Sequence, residues 1–425
     1  MPFRFLHLAD LHLETSFGGR PETRERLRQA TREAFERAVD YAIEERLHAV
    51  LAAGDLFDDR LLSRKVERWL CEQVERLAKA GVWFLACCGN HDPGAAHLRT
   101  AQLGVAATHE EADAAEAWRK RVHFFRHAAP ETVPVLDRDG NIAGLVVGAG
   151  HTTATESNNL AAAFPRIDEA LPVVGLLHTH VAAATSADAH DRYAPSAAAD
   201  YEQLEYGYWA LGHIHIRQQA LPGQPVYYAG NLQGRNPREV GAKGGLVVEV
   251  RAKAPAEPAF VRFAPVRWER LLVNSLPDTQ SLDLVVENLV QRVDAMERAP
   301  DETLALRIEL SGTSPLAHKL RHAETCQEIE AELAERTGAL EVQLRTRDLS
   351  QPIDTEALRA SPTVVAEALD LIDTLRTNPA RLDEWAPEEL ATPVAHGEER
   401  ERYLEELLAD LSQELIERSF AGDDA

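Results

Sequence analysis

The sequence predicts a layered α/β fold with two sheets, and three features of its 425 residues lead to this prediction. Segments typical of strands and of helices alternate over residues 3–92. Short apolar runs follow at close spacing between residues 142 and 250. Polar side chains stand where many of these runs end. In layered α/β folds the ends of several strands converge on one crevice, so these polar groups are expected to lie together.

The first part of the chain is predicted to have the order β-α-β-α-β. Apolar runs typical of buried strands alternate with segments whose apolar residues recur at helical spacing, opposite a face of Glu and Arg. In chain order these are strand 3–9, helix 23–47, strand 48–55, helix 63–81 and strand 82–92.

A second group of short strands is predicted further along the chain. Each is an apolar run, and the spacing between the runs suggests a second sheet packed on the first. These strands are 142–150, 171–180, 206–215, 225–231 and 244–250. The two groups together form a predicted domain over residues 1–265.

The pattern changes after residue 265, where a small α/β domain is predicted over residues 266–350. Its elements also follow the order β-α-β-α-β. They are strand 266–275, helix 281–298, strand 302–312, helix 322–338 and strand 338–348.

The last segment, residues 351–425, is predicted to be helical at 361–376 and 398–420. The final helix places apolar residues on one face, at Leu404, Leu407, Leu408, Leu411, Leu415 and Ile416. Such a stripe is buried either on the chain's own core or on a partner protein. Both alternatives stay open from the sequence.

The formal net charge of −24 argues against a protein that is basic throughout. Residues 353–425 contain 19 acidic residues and 6 arginines, and so they contribute more than half of the net negative charge. The remainder of the chain therefore has room for a local basic surface. No apolar run reaches the roughly 18 residues that a bilayer crossing needs, and no signal peptide is recognisable. Four cysteines without a CxxC pair predict reduced thiols and a cytoplasmic protein.

Polar residues at strand ends form a series of oxygen and nitrogen donors. A carboxylate and an imidazole two residues apart could by themselves be a helix cap and a surface histidine. Five such groups in order argue against a coincidence of core histidines. They predict a site for two divalent metals, and the mixed donors suit Mn, Fe or Zn better than Mg or Ca. The seven candidate ligands are Asp10, His12, Asp55, Asn90, His178, His213 and His215.

The motifs DLH, GDLFD, GNHD, LLHTH and GHIH resemble, in this order, those of the calcineurin-like metallophosphoesterases. The resemblance covers roughly residues 3–250 and implies a two-sheet core, an α/β/β/α sandwich. It implies that Asp55 bridges two metals. It assigns the other ligands to two groups, one of Asp10, His12 and His215 and one of Asn90, His178 and His213. His180 stays an alternative to His178.

The same resemblance implies phosphoester hydrolysis. Two divalent ions lower the pKa of a water and hold the phosphoryl oxygens. His91, next to Asn90 and not needed as a ligand, is expected to be the catalytic group that stabilises the developing charge or protonates the leaving group. Asp92 is expected to orient His91 or the turn.

Three stretches further resemble the SbcD-type DNA repair exonucleases, and most closely their YhaO-like branch. They are FRFLHLADLHLETSF, GHIHIRQ and YYAGNLQGRNPREVGAKGGLVVEV. This resemblance implies a nuclease acting on DNA with two divalent ions, Mn²⁺ first and Fe, Zn or Mg as alternatives. It makes residues 266–350 a capping domain and residues 351–425 a docking segment for an SMC-like coiled-coil ATPase. It also allows a homodimer.

One residue departs from the nuclease pattern. Many nucleases of this type have His three residues after the bridging Asp, where this chain has Asp58. The difference bears on exonuclease action and not on the metal site. A phosphodiesterase or phosphatase acting on a small phosphoester therefore stays an alternative. A scaffold subunit is a third, which the intact ligand set argues against.

Overall fold

The computed structural model describes most of the chain in two compact units. One comprises residues 1–312 and 316–349, and the other residues 313–315 and 350–425. Elements are numbered below in chain order. The residues described are 2–18, 20–58, 63–94, 118–167, 170–182, 192–252, 254, 256–276, 280–352, 358–359, 363–377, 381, 411–412 and 415.

The strands form three sheets. Their bounds are β1 Phe3–Leu8, β2 Ala49–Ala53, β3 Trp83–Cys87, β4 Val122–Phe125, β5 Glu131–Leu136, β6 Ile142–Gly148, β7 Val173–His178, β8 Tyr208–Gly212, β9 Gln218–Gln219, β10 Val226–Tyr228, β11 Gly244–Val250, β12 Ala259–Arg262, β13 Val266–Val273, β14 Thr303–Thr313 and β15 Glu341–Ser350. The helices are α1 Pro21–Glu44, α2 Arg64–Lys79, α3 Ala198–Glu202, α4 Leu282–Asp294, α5 Ala317–Arg321, α6 Ala323–Thr337 and α7 Val364–Thr377.

Two six-stranded sheets form the core, as the sequence predicts, but the strand predicted at 244–250 is misplaced in that prediction. It was expected in the second sheet, and as β11 it lies in the first sheet, where it pairs antiparallel with β1. The first has the order β12-β11-β1-β2-β3-β4, and the second has the order β5-β6-β7-β8-β10-β9. Strands β1 to β4 are parallel, and so are β6, β7, β8 and β10. The strands of each parallel set therefore end at one edge of their sheet, which is where the polar residues follow, whereas β11 runs antiparallel to β1.

The apolar runs are buried between layers because both faces of each sheet are covered. Phe5 and Leu51 of the first sheet pack with Leu176 and Tyr208 of the second in one cluster. The outer face of the first sheet packs on α1 and α2, through residues such as Phe35. The outer face of the second sheet has its own cluster. The layered two-sheet α/β core is thus confirmed.

The third sheet contains β13, β14 and β15, with α4, α5 and α6 covering one face. The predicted β-α-β-α-β elements are all present, and α5 is an additional short helix. The opposite face contacts the core at one end, where Trp268 and Ala305 pack with Phe17, Leu27 and Ala30. The boundary at residue 265 stays a prediction.

The second unit contains α7, which lies within the predicted helix 361–376 apart from its last residue. Its side chains Ala366, Leu369, Ile372 and Leu375 are buried. Of the predicted final helix, only Leu411, Ser412 and Leu415 are described, and they are helical. The stripe positions Leu404, Leu407, Leu408 and Ile416 lie outside the described residues.

The described helices also bear on the expectation about membranes. None of those within the described ranges has the length and apolar content for a bilayer crossing. The four cysteines are thiols outside any disulfide, and Cys71, Cys87 and Cys88 are buried.

Candidate metal centre

The predicted ligands follow the carboxyl ends of parallel strands from both core sheets. Asp10 and His12 follow β1, Asp55 follows β2 and Asn90 follows β3. His178 is the last residue of β7, and His213 and His215 follow β8. Because these strand ends meet at one edge of the sandwich, residues far apart in sequence come within hydrogen-bond distance.

The backbone at this edge is held in an uncommon conformation. Asp10, His12, Asp55 and His213 have φ values of 50°, 46°, 49° and 105°. Positive φ is uncommon outside glycine and clusters at functional sites. Gly54 also has positive φ, and a Cβ there would lie 2.4 Å from His178 Nδ1. Strand ends from the two sheets can approach this closely because glycine has no side chain.

Donor atoms of five predicted ligands form two clusters, and the carboxylate of Asp10 belongs to both. Ligand atoms of Asp10, His12 and His215 lie within 4.8 Å of one another, and so do those of Asp10, Asp55 and His178. Asp55 Oδ2 lies 3.8 Å from His12 Nε2 and 3.4 Å from His178 Nε2. Asp55 is therefore close to both clusters, which is where a bridging ligand has to be.

Hydrogen bonds at Nδ1 set the orientation of two of the histidines. His12 Nδ1 donates to Asp58 Oδ1 at 3.0 Å, and His215 Nδ1 donates to Glu239 Oε1 at 2.9 Å. Burial lowers the pKa of His12 well below its usual range, so its ring is neutral and Nε2 keeps a lone pair. The two Nε2 atoms lie 3.2 Å apart. Lone pairs facing each other at this distance repel unless a cation takes them up.

His178 is arranged in the same way. Its Nδ1 donates to the carbonyl oxygen of Ala53 at 2.9 Å, and burial lowers its pKa well below the usual range. Its Nε2 faces Asn90 Oδ1 at 3.0 Å and Asp55 Oδ2 at 3.4 Å. Acceptor atoms thus converge on acceptor atoms here. This donor set fits divalent metal ions of the kind that bind imidazole and carboxylate.

The two central carboxylates are buried, and their ion-pair contacts among the described residues are with histidines and not with Lys or Arg. Asp10 and Asp55 are 1 % and 2 % exposed. Burial raises the pKa of Asp55 to about 6, and burial together with the nearby Asp55 charge raises the pKa of Asp10 well above its usual value. Bound cations would favour the ionised form of both groups.

Asp58 connects His91 to the cluster. His91 Nδ1 and His12 Nδ1 each lie 3.0 Å from Asp58 Oδ1. The hydrogen bond to Asp58 raises the pKa of His91 to about 9. Burial opposes the charged form of Asp58, but the hydrogen bonds from His12 and His91 hold its pKa well below the usual range. Asp58 thus orients a predicted ligand and the predicted catalytic histidine.

Other predicted residues have defined positions. Asp92 accepts the backbone N–H groups of Leu56 and Gly89, both at 2.7 Å, and so holds the turn that carries Asn90. His178 belongs to the donor clusters found among the described residues, whereas the His180 ring lies 6.1 Å from that of His213. The His213 ring lies 5.2 Å from that of His178, and its backbone N–H donates to Asp10.

Three residues of the stretch 225–250 surround His215 and were not predicted as site residues. Glu239 accepts from His215, Asn231 and the Arg235 backbone. Lys243 is buried, and its Nζ donates to the His215 carbonyl oxygen at 2.8 Å. Arg235 places its guanidinium beside His215 and Asp58. The only sequence signal was a group of charged residues in a glycine-rich segment after a strand.

Comparisons with known proteins agree with this geometry. The profile of the family described as calcineurin-like phosphoesterase matches residues 3–217. A Bacillus subtilis protein named uncharacterized metallophosphoesterase YhaO is 31% identical over 316 residues, which cover 73% of this chain and 72% of that protein. The DNA double-strand break repair protein Mre11 of Aeropyrum pernix is 29% identical over 256 residues. That alignment covers 59% of each chain, so it spans less than two thirds of Mre11.

Among solved structures, a dimetal phosphatase from Danio rerio aligns with 62% of this chain and 100% of its own, at 13% identity and a TM-score of 0.35. The family assignment depends on the profile match and on the likeness to YhaO, together with the donor clusters described above. The chain belongs to the calcineurin-like phosphoesterase family.

Proposed function

We propose that this metallophosphoesterase is a DNA nuclease subunit, an exonuclease or endonuclease acting in DNA repair with an SMC-like ATPase. The chain belongs to a phosphoesterase family and is therefore a hydrolase. Members of this family bind two divalent metals. The similarity to Mre11 repair proteins supports the proposal that the substrate is DNA. The observation that carries the choice of DNA is a face of arginines on the third sheet, in a chain whose net charge is −24.

The candidate metal centre supplies the chemistry. When bound, two divalent ions would supply Lewis acidity and an activated water for attack on phosphorus. Asp10, His12 and His215 would hold one ion, Asn90, His178 and His213 the other, and Asp55 both. Asp58 fixes His91 through Nδ1, which leaves Nε2 to donate a proton to the leaving oxygen. Asp58 and Glu239 hold two of the ligands in place.

The arginine face is the side of the third sheet opposite its helices. Arg270 of β13 pairs directly with Arg307 of β14, so both side chains lie on the face that Trp268 and Ala305 share. Arg307 donates to Gln343 Oε1 of β15 at 2.8 Å, which places Gln343 on this face too. By strand alternation the exposed residue Arg345 also belongs to it.

Acidic residues compensate this face only in part. Arg270 forms an ion pair with Glu309. Burial lowers the pKa of Arg307, and the charges of Arg345, Arg238 and Arg270 lower it further, so four guanidinium groups act on one another. Arg238 lies three residues after Arg235 in the loop that braces His215. A row of like charges that begins at this loop suits the regularly spaced phosphates of a nucleic-acid backbone.

The ATPase partner is proposed from the C-terminal segment. Residues 353–425 carry 19 acidic residues against 6 arginines, which disfavours contact with DNA. The apolar stripe predicted for residues 404–416 requires a protein surface. A coiled-coil ATPase of the SMC-like class fits both features. Mn²⁺ is proposed as the metal, and the cytoplasm as the compartment.

A small phosphoester is the second candidate substrate. It is favoured by Asp58, because this carboxylate stands where many nucleases of this type have His. The Asp58–His91 pair is suited to protonating a leaving group of any phosphoester. The length of the arginine face favours a longer, polyanionic substrate.

The test compares substrates directly. Metal-reconstituted protein is incubated with labelled single-stranded DNA, double-stranded DNA and a chromogenic phosphodiester. Cleavage of DNA is expected, with binding that weakens steeply as salt rises. Replacing Arg307 and Arg345 by Gln should weaken DNA binding and make the salt slope shallower by roughly one unit per lost phosphate contact. The matched control is Arg251→Gln, at an arginine whose side chain is 73% exposed. Hydrolysis of the diester without DNA cleavage would contradict the proposal.

A further inference from the structure

The position of Arg235 is fixed from its backbone. Its N–H donates to Glu239 Oε2 at 2.7 Å, and the same carboxylate receives His215 Nδ1 through Oε1. The Arg235 side chain is 20% exposed and extends toward the metal centre. Its NH1 lies 3.4 Å from Asp58 Oδ1, and its NH2 lies 3.3 Å from His215 Nδ1. The guanidinium therefore lies beside the imidazoles of one predicted metal site.

These contacts leave most of its hydrogen-bonding capacity unused. A guanidinium has five N–H donors, and its hydrogen bonds to carboxylates usually measure about 2.7–2.9 Å. The contact of Arg235 with Asp58 is longer than this. His215 Nδ1 cannot accept a hydrogen bond from Arg235, because that nitrogen already donates its proton to Glu239. Arg235 Nε is buried without a hydrogen-bond partner among the described residues, and its nearest carboxylate oxygen, Glu239 Oε1, is 3.5 Å away.

The nearby carboxylates are already engaged with other donors. Asp58 Oδ1 receives His12 and His91, both at 3.0 Å. Glu239 receives His215 at 2.9 Å and Asn231 at 2.7 Å. Among the described residues, these carboxylates therefore give the Arg235 guanidinium no contact shorter than 3.4 Å. An anion with two or more acceptor oxygens, placed beside the predicted metal ligands, would match its donors.

The charge of Arg235 reaches the centre of the site. Burial has the largest influence on the pKa values of Asp10 and Asp55 and raises both, whereas the positive charge of Arg235 lowers both. Arg235 thus contributes positive potential where a phosphoryl group would stand. The effect of this charge agrees with the position of the guanidinium, but the charge alone does not identify a ligand.

We propose that Arg235 binds the non-bridging oxygens of the phosphoryl group that is hydrolysed. The inference depends on the proposed phosphoester hydrolysis but not on DNA as the substrate. The planar guanidinium matches two phosphoryl oxygens, and its charge stabilises the additional negative charge of the transition state. Free phosphate offers the same oxygens, so it binds Arg235 as well. In the absence of an anion, Asp58 and Glu239 keep Arg235 in this position.

The experiment measures phosphate binding and turnover separately in Arg235→Gln and Arg235→Lys. Metal content per chain is determined first, then the affinity for inorganic phosphate by calorimetry, then kcat and KM on a chromogenic diester. In Arg235→Gln we expect unchanged metal content, phosphate affinity lower by about tenfold or more, and kcat/KM lower by roughly 10²–10³-fold, the range for a lost transition-state donor. Arg235→Lys should fall between wild type and Arg235→Gln, since an ammonium keeps the charge without the paired contact.

Two results would overturn the inference. One is unchanged phosphate affinity in a folded, metal-loaded Arg235→Gln. The other is loss of metal in both variants, which would make Arg235 a brace for His215. The charge-matched control is Arg251→Gln, which should behave as wild type. If wild type hydrolyses the diester but not DNA, the proposed action on DNA is wrong, while the role of Arg235 in phosphoryl binding can still be tested with the diester. Calorimetry with phosphate stays informative even when no ester is hydrolysed.

Discussion

The Nε2 atoms of His12 and His215 lie 3.2 Å apart while their Nδ1 atoms are bound by two different carboxylates, Asp58 and Glu239. Each carboxylate fixes a ring so that its second nitrogen presents a lone pair to the same point. Carboxylate–histidine pairs of this kind orient metal ligands and raise their basicity. The arrangement makes the metal centre depend on residues that are not ligands themselves.

Glu239 should therefore control metal affinity. In Glu239→Gln the side-chain amide has to present its NH₂ group to a donor, either His215 Nδ1 or the Asn231 and Arg235 donors. We expect affinity for a divalent metal to fall by about 10–100-fold, the usual effect of losing such a partner. Metal titration followed by calorimetry measures it. An unchanged affinity would mean that Glu239 does not orient His215. Glu249→Gln, at a partly exposed glutamate of β11, is the control.

His91 should contribute to catalysis more than to metal binding. Its side chain is 40% exposed and is held by Asp58 through Nδ1. His91→Gln should keep two metals per chain and lower turnover by roughly 10²–10⁴-fold, the range for a lost general acid or base. Single-turnover kinetics on a metal-verified sample test this. Turnover equal to that of wild type would remove His91 from the mechanism.

His7 should make the fold sensitive to acid. The ring is fully buried between β1 and β8, with Nδ1 3.0 Å from the Tyr208 hydroxyl and Nε2 3.1 Å from the Leu211 carbonyl oxygen. Burial lowers the pKa of His7 to about 3, against about 6.5 in an unfolded chain. Between these values the unfolded chain binds one more proton than the folded chain. The stability that His7 contributes is complete above pH 6.5 and is lost as the pH falls toward 3, at about 1.4 kcal/mol per pH unit.

The check is denaturant unfolding of metal-free protein from pH 7 to pH 4. In His7→Gln, whose amide can also donate to Leu211 and accept from Tyr208, the free energy of unfolding should depend less steeply on pH. The difference in slope should correspond to about one proton. His322→Gln, at an exposed histidine, is the matched control. Identical slopes for wild type and His7→Gln would contradict the prediction.

Removing residues 354–425 should separate the acidic segment from catalysis. We expect metal binding and hydrolysis of a small diester to stay nearly intact, and assembly with a coiled-coil ATPase to be lost. DNA affinity should stay the same or rise, because the deletion removes net negative charge. A melting curve and a salt-dependent DNA titration of both lengths make the comparison.

Two outcomes would show that the segment has a different role. Unfolding of the shortened chain would mean that its apolar stripe belongs to the chain's own core. A folded protein without DNA binding would mean that the segment lies on the DNA path.

The core and the convergence of the candidate ligands were predictable because each depends on a local pattern. The apolar runs of β1, β2 and β3 are short and end in Asp10, Asp55 and Asn90, so strand ends and donors are visible together. The structure brings these residues into adjacent clusters. It also brings His178 rather than His180 to Asn90, a choice that spacing alone left open.

The supporting residues could not be predicted because no local pattern marks them. Glu239, Arg235 and Lys243 lie in a segment without regular secondary structure, and each of them contacts His215 across 20 or more residues of sequence. Asp58 was noticed only as a departure from the usual nuclease pattern. That it contacts both His12 and His91 depends on how the ends of three strands of the same sheet, β1, β2 and β3, meet.

A site for two divalent ions is tested most directly by metal stoichiometry. The measurement is the number of Mn²⁺ ions bound per chain at saturation in wild type and in Asp55→Asn, with hydrolysis of a diester followed in the same samples. We expect two ions for wild type, and a loss of metal and activity together in Asp55→Asn, because Asp55 lies within 4 Å of imidazole nitrogens of both clusters. Full metal occupancy in Asp55→Asn would contradict this expectation.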